Sequence, residues 1–263
     1  PLKGENRLIV KRGLEKLRLT ERAGLKALIK SAGLDLFSIN EESIGFQIGP
    51  RLNAAGRLDS ADPAVELILT EDPDEAAWIA EEIEELNRKR QKLVNEITEE
   101  AIQEVEKNFP PEENAVLLVG KEGWNAGVIG IVASKLVEKY YRPTIVFSYD
   151  EEKGIAKGSA RSIEGFDLFK NLSKCRDLLP HFGGHTMAAG MTLNIADMEE
   201  LRNRLNRLAR EELTDEDFTP LAYIDYEASI GEITVSAIEE MEMLAPFGEG
   251  NPKPKVLIKD ASI

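Results

Sequence analysis

Residues 115–149, AVLLVGKEGWNAGVIGIVASKLVEKYYRPTIVFSY, settle the fold class. Ala115 to Val119 is a continuous apolar run of the length of a buried strand. Gly127 to Tyr140 carries its apolar residues at helical spacing, and Thr144 to Tyr149 returns to a run rich in β-branched and aromatic residues. Strand, helix and strand in succession predict a sheet with helices laid on it. The alternation continues downstream. Asp150 to Lys153 reads as a hairpin-like turn, Ile155 to Ala160 as a strand, Leu168 to Leu179 as a helix, Met187 to Leu193 as a strand and Met198 to Leu213 as a helix. The expected class is α/β, a mixed sheet covered by helices.

Before Pro111 the pattern is helical. Leu8 to Leu17 and Arg22 to Ser31 read as short helices, with Thr20 as an N-cap and Gly33 as a stop. Ser43 to Ile48 leads into IGPRLNAAGR. Asp74 to Asn108 is the longest periodic run, opened by Pro73 and closed by Pro110. A helix of about 34 residues is about 50 Å long, which predicts a link between two domains. A coiled-coil arm is the alternative, but the apolar positions keep no strict heptad. From Phe218 the chain turns acidic, with Tyr223 to Tyr226 strand-like, Thr234 to Met243 helical, and NPKPKVLIKDASI reading as the first strand of a β-rich domain. The expected divisions are 1–72, 73–110, 111–214 and 215–263.

Two motifs carry chemistry. HFGGHTMAAG, His181 to Gly190, holds both histidines of the chain and an adjacent glycine pair. The glycines, Gly183 and Gly184, predict a tight turn that presents His185 beside open space. GSARS, Gly158 to Ser162, sets Arg161 between the hydroxyls of Ser159 and Ser162. A guanidinium with neighbouring hydroxyl and N–H donors is a usual phosphate holder; a salt bridge that pins a strand end is the alternative. The spacing His181-x₃-His185 superficially resembles a metal pair, but the glycines oppose a helix there and no acidic or thiol ligand adjoins it. Asp59 and Asp62 make a weak metal signal, and Asp62 reads better as an N-cap. In IGPRLNAAGR, Arg51, Asn53 and Arg57 surround small residues that permit close approach of a ligand; a helix N-terminus capped by Asn53 is the alternative. Gly123, Trp124 and Asn125 precede a helix whose first N–H groups suit an anion. Cys175 lies in the apolar-periodic LFKNLSKCRDLL and reads as a half-buried helix position rather than a nucleophile. No P-loop, no dinucleotide fingerprint and no nucleophile elbow occurs.

IGPRLNAAGRLDSA, EGWNAGVIGIVASKL, GSARSIEGFDL and FGGHTMAAG, in this order, together resemble the signature blocks of the bacterial RecJ family. These are single-strand-specific 5′→3′ DNA exonucleases of the DHH phosphoesterase superfamily. The resemblance runs from PLKGENR at the start to PFGEGNPKP near the end. It implies a DHH-associated substrate-binding domain over 111–214, the end of the catalytic domain and its RLNAAGR loop over 1–72, and the opening of an oligonucleotide-binding barrel in 215–263. The Asp-His-His motif of the family is absent here, so this sequence is expected to be a fragment without metal ligands, inactive alone, with Mn²⁺ or Mg²⁺ held elsewhere in the full-length enzyme. The resemblance implies that Arg51, Asn53, Arg57, Ser159, Arg161, Ser162, Gly183 and Gly184 bind the strand and its 5′ phosphate, with His185 catalytic and Trp124 and Asn125 as further candidates. Many relatives carry histidine where Asn125 stands, and an amide cannot shuttle protons near neutral pH. The implied setting is cytoplasmic DNA repair and recombination on single-stranded DNA, with a single-strand-binding protein or a helicase as protein partners. A phosphodiesterase of short oligonucleotides or cyclic dinucleotides, and a non-enzymatic nucleic-acid module, are the alternatives.

Composition agrees with a globular chain: 42% hydrophobic and 31% charged among 263 residues. No apolar run approaches the length of a membrane span, no signal peptide is expected on this reading, and a single cysteine excludes an internal disulfide. The net charge of −15 is unevenly spread, with nine Lys/Arg against three Asp/Glu in residues 1–30 and thirteen acids against three lysines in 211–263. The basic start suits either direct strand contact or a solvated helix face.

Overall fold

The computed structural model describes residues 1–259 and comprises two compact units, Pro1–Asn87 with Leu221–Ile263, and Arg88–Pro220. Asp260 to Ile263, the end of the expected last strand, lie outside the described residues.

The first unit opens with α1 (Gly4–Leu17), α2 (Ala23–Ser31), α3 (Gly49–Leu58) and α4 (Asp62–Leu69), followed by the start of α5 (Pro73–Asn108). Leu28, Ile39, Leu67 and Ile83 form its core. Two caps sit differently from expectation. Thr20 Oγ1 accepts from the Arg22 N–H (3.3 Å), and Arg22 is the N-cap of α2. Asp62 is the first residue of α4 rather than its cap, where its charge still complements the helix dipole. The RLNAAGR segment is not a loop. It is helix α3, because Pro50 suits a first turn and Ala54 and Ala55 bury their methyls completely.

The basic start is mostly structural. Arg7 Nη2 donates to the carbonyl oxygens of Leu244 (2.7 Å) and Ala245 (3.0 Å), Arg18 Nε to that of Ile39 (2.9 Å), and Arg22 Nη2 to that of Ile68 (2.7 Å). Arg12 and Lys26 pair with Glu15 and Glu21.

In the second unit, β1 (Leu117–Glu122) is joined through α6 (Ile129–Tyr140) to β2 (Thr144–Asp150). Then come β3 (Ile155–Arg161), α7 (Leu168–Ser173), β4 (His181–His185), β5 (Ala188–Asn194) and α8 (Met198–Glu212). The sheet order is β1-β2-β3-β5-β4, parallel only between β1 and β2, so the sheet is mixed as expected. One face carries Leu118, Ile145, Phe147, Ala156, Ala160, Met191 and Leu193, packed on Leu168 and Leu172 of α7 and Leu201 and Leu205 of α8. The opposite face is covered by α6 over β2 and β3. Helix α7 stops at Ser173, short of the expected Leu179, and the chain descends through i→i+3 turns, Leu178 N–H to Cys175 O (3.0 Å) and Leu179 N–H to Arg176 O (3.3 Å). Cys175 is fully buried in these turns, and burial pushes its thiol up.

The first unit is completed by α9 (Val235–Glu242) and the short parallel pair of β6 (Tyr226–Ala228) with β7 (Val256–Ile258). Thr234 caps α9, its hydroxyl accepting from the Ala237 N–H (3.2 Å).

Candidate nucleic-acid interface

The glycine pair of HFGGHTMAAG makes an edge strand, not a turn. His181 to His185 is β4, and the reversal falls on Thr186 and Met187. Neither glycine adopts a positive φ. Gly184 is required by close approach instead: a Cβ there would meet Ala188 O at 2.3 Å and Ala189 Cα at 2.6 Å. Above Gly183 and Gly190 the space is open.

Antiparallel partners share a face, so the register across β3, β5 and β4 defines three rows. They are Arg161–Ala188–His185, Ser159–Gly190–Gly183 and Lys157–Thr192–His181. Helix α6 covers β3 on this face but not β5 and β4, where His181, Gly183, His185 and Gly190 are exposed. No acidic side chain stands in the three rows. The result is a floor of glycine and alanine bordered by cations and hydroxyls. A cleft of about 500 Å³ adjoins it, lined by Arg176, His181, Gly183, Gly190 and Thr192 among others.

Arg161 and Ser159 stand side by side on β3. Arg161 Nη1 donates to Ser159 Oγ (3.3 Å) and to the Ala160 carbonyl (2.7 Å). Both reach the first turn of α6, where Gly130 leaves them room. Guanidinium, hydroxyl and the positive end of a helix thus share one spot. His185 lies in the same row as Arg161, two strands away, or about 10 Å at the usual interstrand spacing. Its Nδ1 accepts a long bond from the Met187 N–H (3.4 Å), an arrangement that leaves Nε2 as the ring's donor.

Other expected site residues are engaged elsewhere. Ser162 is buried, its hydroxyl donating to the Phe166 carbonyl (2.6 Å), which closes the loop after β3 and removes it from any ligand. Trp124 is buried, with Nε1 donating to Glu100 Oε2 (2.8 Å), a bond that also holds the Glu100 carboxyl below its ordinary range. Asn125 Oδ1 accepts from the Gly127 N–H (2.8 Å) and shapes the turn into α6. On α3 the 3.6-residue period divides the block. Arg51 turns inward, Nε to Glu84 Oε2 (2.7 Å) and Nη1 to the Gln47 carbonyl (2.9 Å), while Asn53, Gly56 and Arg57 share an exposed side. Lys157 and Thr192 escaped the sequence reading, although counting back by twos from Arg161 along a strand reaches Ser159 and then Lys157.

Known proteins supply the context. Residues 113–211 match the DHHA1 domain and residues 224–263 the RecJ OB domain. The chain is 57% identical over 261 residues to the single-stranded-DNA-specific exonuclease RecJ of Bacillus subtilis, an alignment covering 99% of this chain and 33% of that protein. It is 34% identical to the RecJ of Dickeya dadantii, covering 97% of this chain and 45% of that protein. The crystal structure of Thermus thermophilus RecJ in complex with Mn²⁺ superposes with a TM-score of 0.87 at 29% identity, over 98% of this chain and 37% of that one. The chain therefore spans a third to a half of the length of these relatives.

Proposed function

We propose, for a chain that belongs to the RecJ family through its DHHA1 domain and its match to the RecJ OB domain, that it is the strand-holding part of a metal-dependent 5′→3′ single-stranded-DNA exonuclease. The observation that carries this is the meeting of Arg161, Ser159 and the start of α6 beside an exposed floor with His185 across it. Arg161 and Ser159 take the 5′ phosphate, Gly183 and Gly190 keep the floor low enough for the strand to lie close, and His185 donates from Nε2 to a phosphate oxygen. Gly184, in register with Ala189 and Ala160 on the opposite face, serves packing instead. Gripping the end sets polarity, because only a strand with the right terminus then places its first linkage at a fixed distance from the grip. Asn53 and Arg57 on the exposed side of α3 are further strand contacts.

Solved RecJ relatives are complexes with Mg²⁺ and Mn²⁺. Among the described residues no three His, Cys, Asp or Glu groups converge to hold such an ion. The residues here do not fit the metal, and we assign its ligands outside this chain, so that the chain alone holds a strand without cutting it. Among the described residues no helix is long and apolar enough to cross a membrane. We place the activity in cytoplasmic DNA repair and recombination, where a helicase or a single-strand-binding protein presents the strand.

The test is equilibrium binding of this chain to one oligonucleotide in three forms: 5′-phosphorylated single strand, 5′-hydroxyl single strand, and duplex. A charge-assisted bidentate contact contributes about 1.5–3 kcal/mol, so the phosphorylated strand is expected to bind at least about tenfold more tightly than the hydroxyl form. Equal affinity for all three overturns the assignment.

A further inference from the structure

We infer that the row Lys157–Thr192–His181 is a second phosphate station on the same sheet face, which takes an internal phosphate of the strand whose 5′ end is held at Arg161. This rests on the end-binding function proposed above.

Lys157, Thr192 and His181 are direct neighbours in register on β3, β5 and β4. They bring an ammonium, a hydroxyl and an imidazole to one line, a donor set for phosphate oxygens. Lys157 and His181 are exposed, and Arg176 lines the same cleft as His181 and Thr192. Asp150, the carboxylate whose charge reaches Lys157, is itself bonded to Lys153 Nζ (2.7 Å). Between this row and the Arg161 row stands only Ser159–Gly190–Gly183, with open space above both glycines. A strand can therefore pass from one cationic row to the other without meeting a bulky side chain.

Spacing gives the station its number. Arg161 and Lys157 are four residues apart on one strand, about 13 Å at 3.3 Å per residue. A stacked single strand advances about 3.4 Å per nucleotide, so four steps cover the gap, and a stretched strand covers it in fewer. A 5′-phosphorylated dinucleotide cannot reach from one row to the other; a hexanucleotide reaches in either state.

The experiment measures the affinity of the chain, parent and variants, for a 5′-phosphorylated dinucleotide and a 5′-phosphorylated hexanucleotide at several salt concentrations. Lys157→Ala and Thr192→Val are expected to weaken the hexanucleotide about threefold to tenfold and to leave the dinucleotide unchanged. Lys157→Ala lowers the hexanucleotide salt slope by about 0.7, the loss of one single-strand phosphate contact, and Lys157→Arg restores it. Arg161→Ala weakens both lengths. If Lys157→Ala leaves hexanucleotide affinity and slope at parental values while Arg161→Ala still weakens both, the second station is wrong and the end-binding pocket stands. If the parent binds neither oligonucleotide, both fall together. Circular dichroism of each variant separates a lost contact from a lost fold.

Discussion

A Cβ placed on Gly130, in the first turn of α6, would lie 2.8 Å from Ser159 Oγ on β3 and 3.1 Å from Arg161 Nη2. The helix thus approaches the strand as closely as those two side chains allow, and no larger residue fits at 130 without moving them. Gly130→Ala is expected to lower the melting temperature only modestly, because about 1 kcal/mol gained in helix propensity offsets part of a packing cost of about 1–3 kcal/mol. The preference for a 5′-phosphorylated strand falls, since Ser159 and Arg161 must rotate away. A variant with parental stability and parental preference would show that the pocket does not use this contact.

Arg161→Ala in the full-length enzyme reduces activity on 5′-phosphorylated strands by about ten- to a hundredfold, the value of a charge-assisted pair of bonds. Loss on 5′-hydroxyl strands is much smaller. Arg161→Lys restores part of the activity, because an ammonium keeps the charge without the fork. Comparing initial rates on the two substrates decides the matter: an equal slowing of both assigns Arg161 to the fold.

Arg51 behaves differently from Asn53, two residues on. Its bond to Glu84 is nearly buried, with the side chains 15% and 9% exposed. Arg51→Ala removes a charge-assisted bond to a nearly buried carboxylate and destabilises by about 1.5–3 kcal/mol, read as a lower denaturation midpoint. Asn53→Ala, on the exposed side of α3, weakens strand binding at unchanged stability. Loss of binding by a fully stable Arg51→Ala protein contradicts this division.

Glu212 sets an acid limit. Hydrogen bonds from Asn171 Nδ2 (2.8 Å) and Lys174 Nζ (2.7 Å) hold its carboxylate down to about 2, from an ordinary 4.5. A carboxyl depressed in the folded state stabilises fully above its unfolded value and loses that contribution as pH falls from 4.5 through about 2. Melting temperature against pH is therefore expected to decline over that window in the parent. Glu212→Gln starts lower at pH 7, by about 1–2 kcal/mol, and declines less. Parallel curves for the two proteins would remove Glu212 from the account.

Regular elements were legible in the sequence because each carries its own period. The run Asp74 to Asn108 became α5 almost to the residue, and Thr144 to Tyr149 became β2 with one residue added. What misled was chemistry shared by two structures. Gly183 and Gly184 suggested a turn, since glycine serves both positive φ and close packing, and only the register shows that Gly184 lies against Ala188 and Ala189. Ala54, Ala55 and Gly56 suggested a loop open to a ligand, yet small residues also let a helix sit deep, as α3 does. Leu178 and Leu179 kept helical spacing beyond Ser173 because i→i+3 turns repeat nearly the same interval. In the candidate site, Arg161, Ser159 and His185 were singled out by residue type, and the measurements above test the roles proposed for them. Ser162 and Trp124 were lost to internal bonds that only tertiary structure forms. Lys157 and Thr192 needed the pairing of β3 with β5, a long-range fact.

The glycines of the β4–β5 pair answer to two different kinds of selection. Gly184 has no room for a methyl, so any replacement there harms the protein whether or not a strand is ever bound. Gly183 and Gly190 have open space above them and ordinary backbone angles, and the folded chain tolerates alanine at both. Any intolerance at those two positions measures what passes over the sheet rather than what holds it together. A survey of substitutions across this one strand pair therefore separates the demands of the fold from those of the substrate, residue by residue.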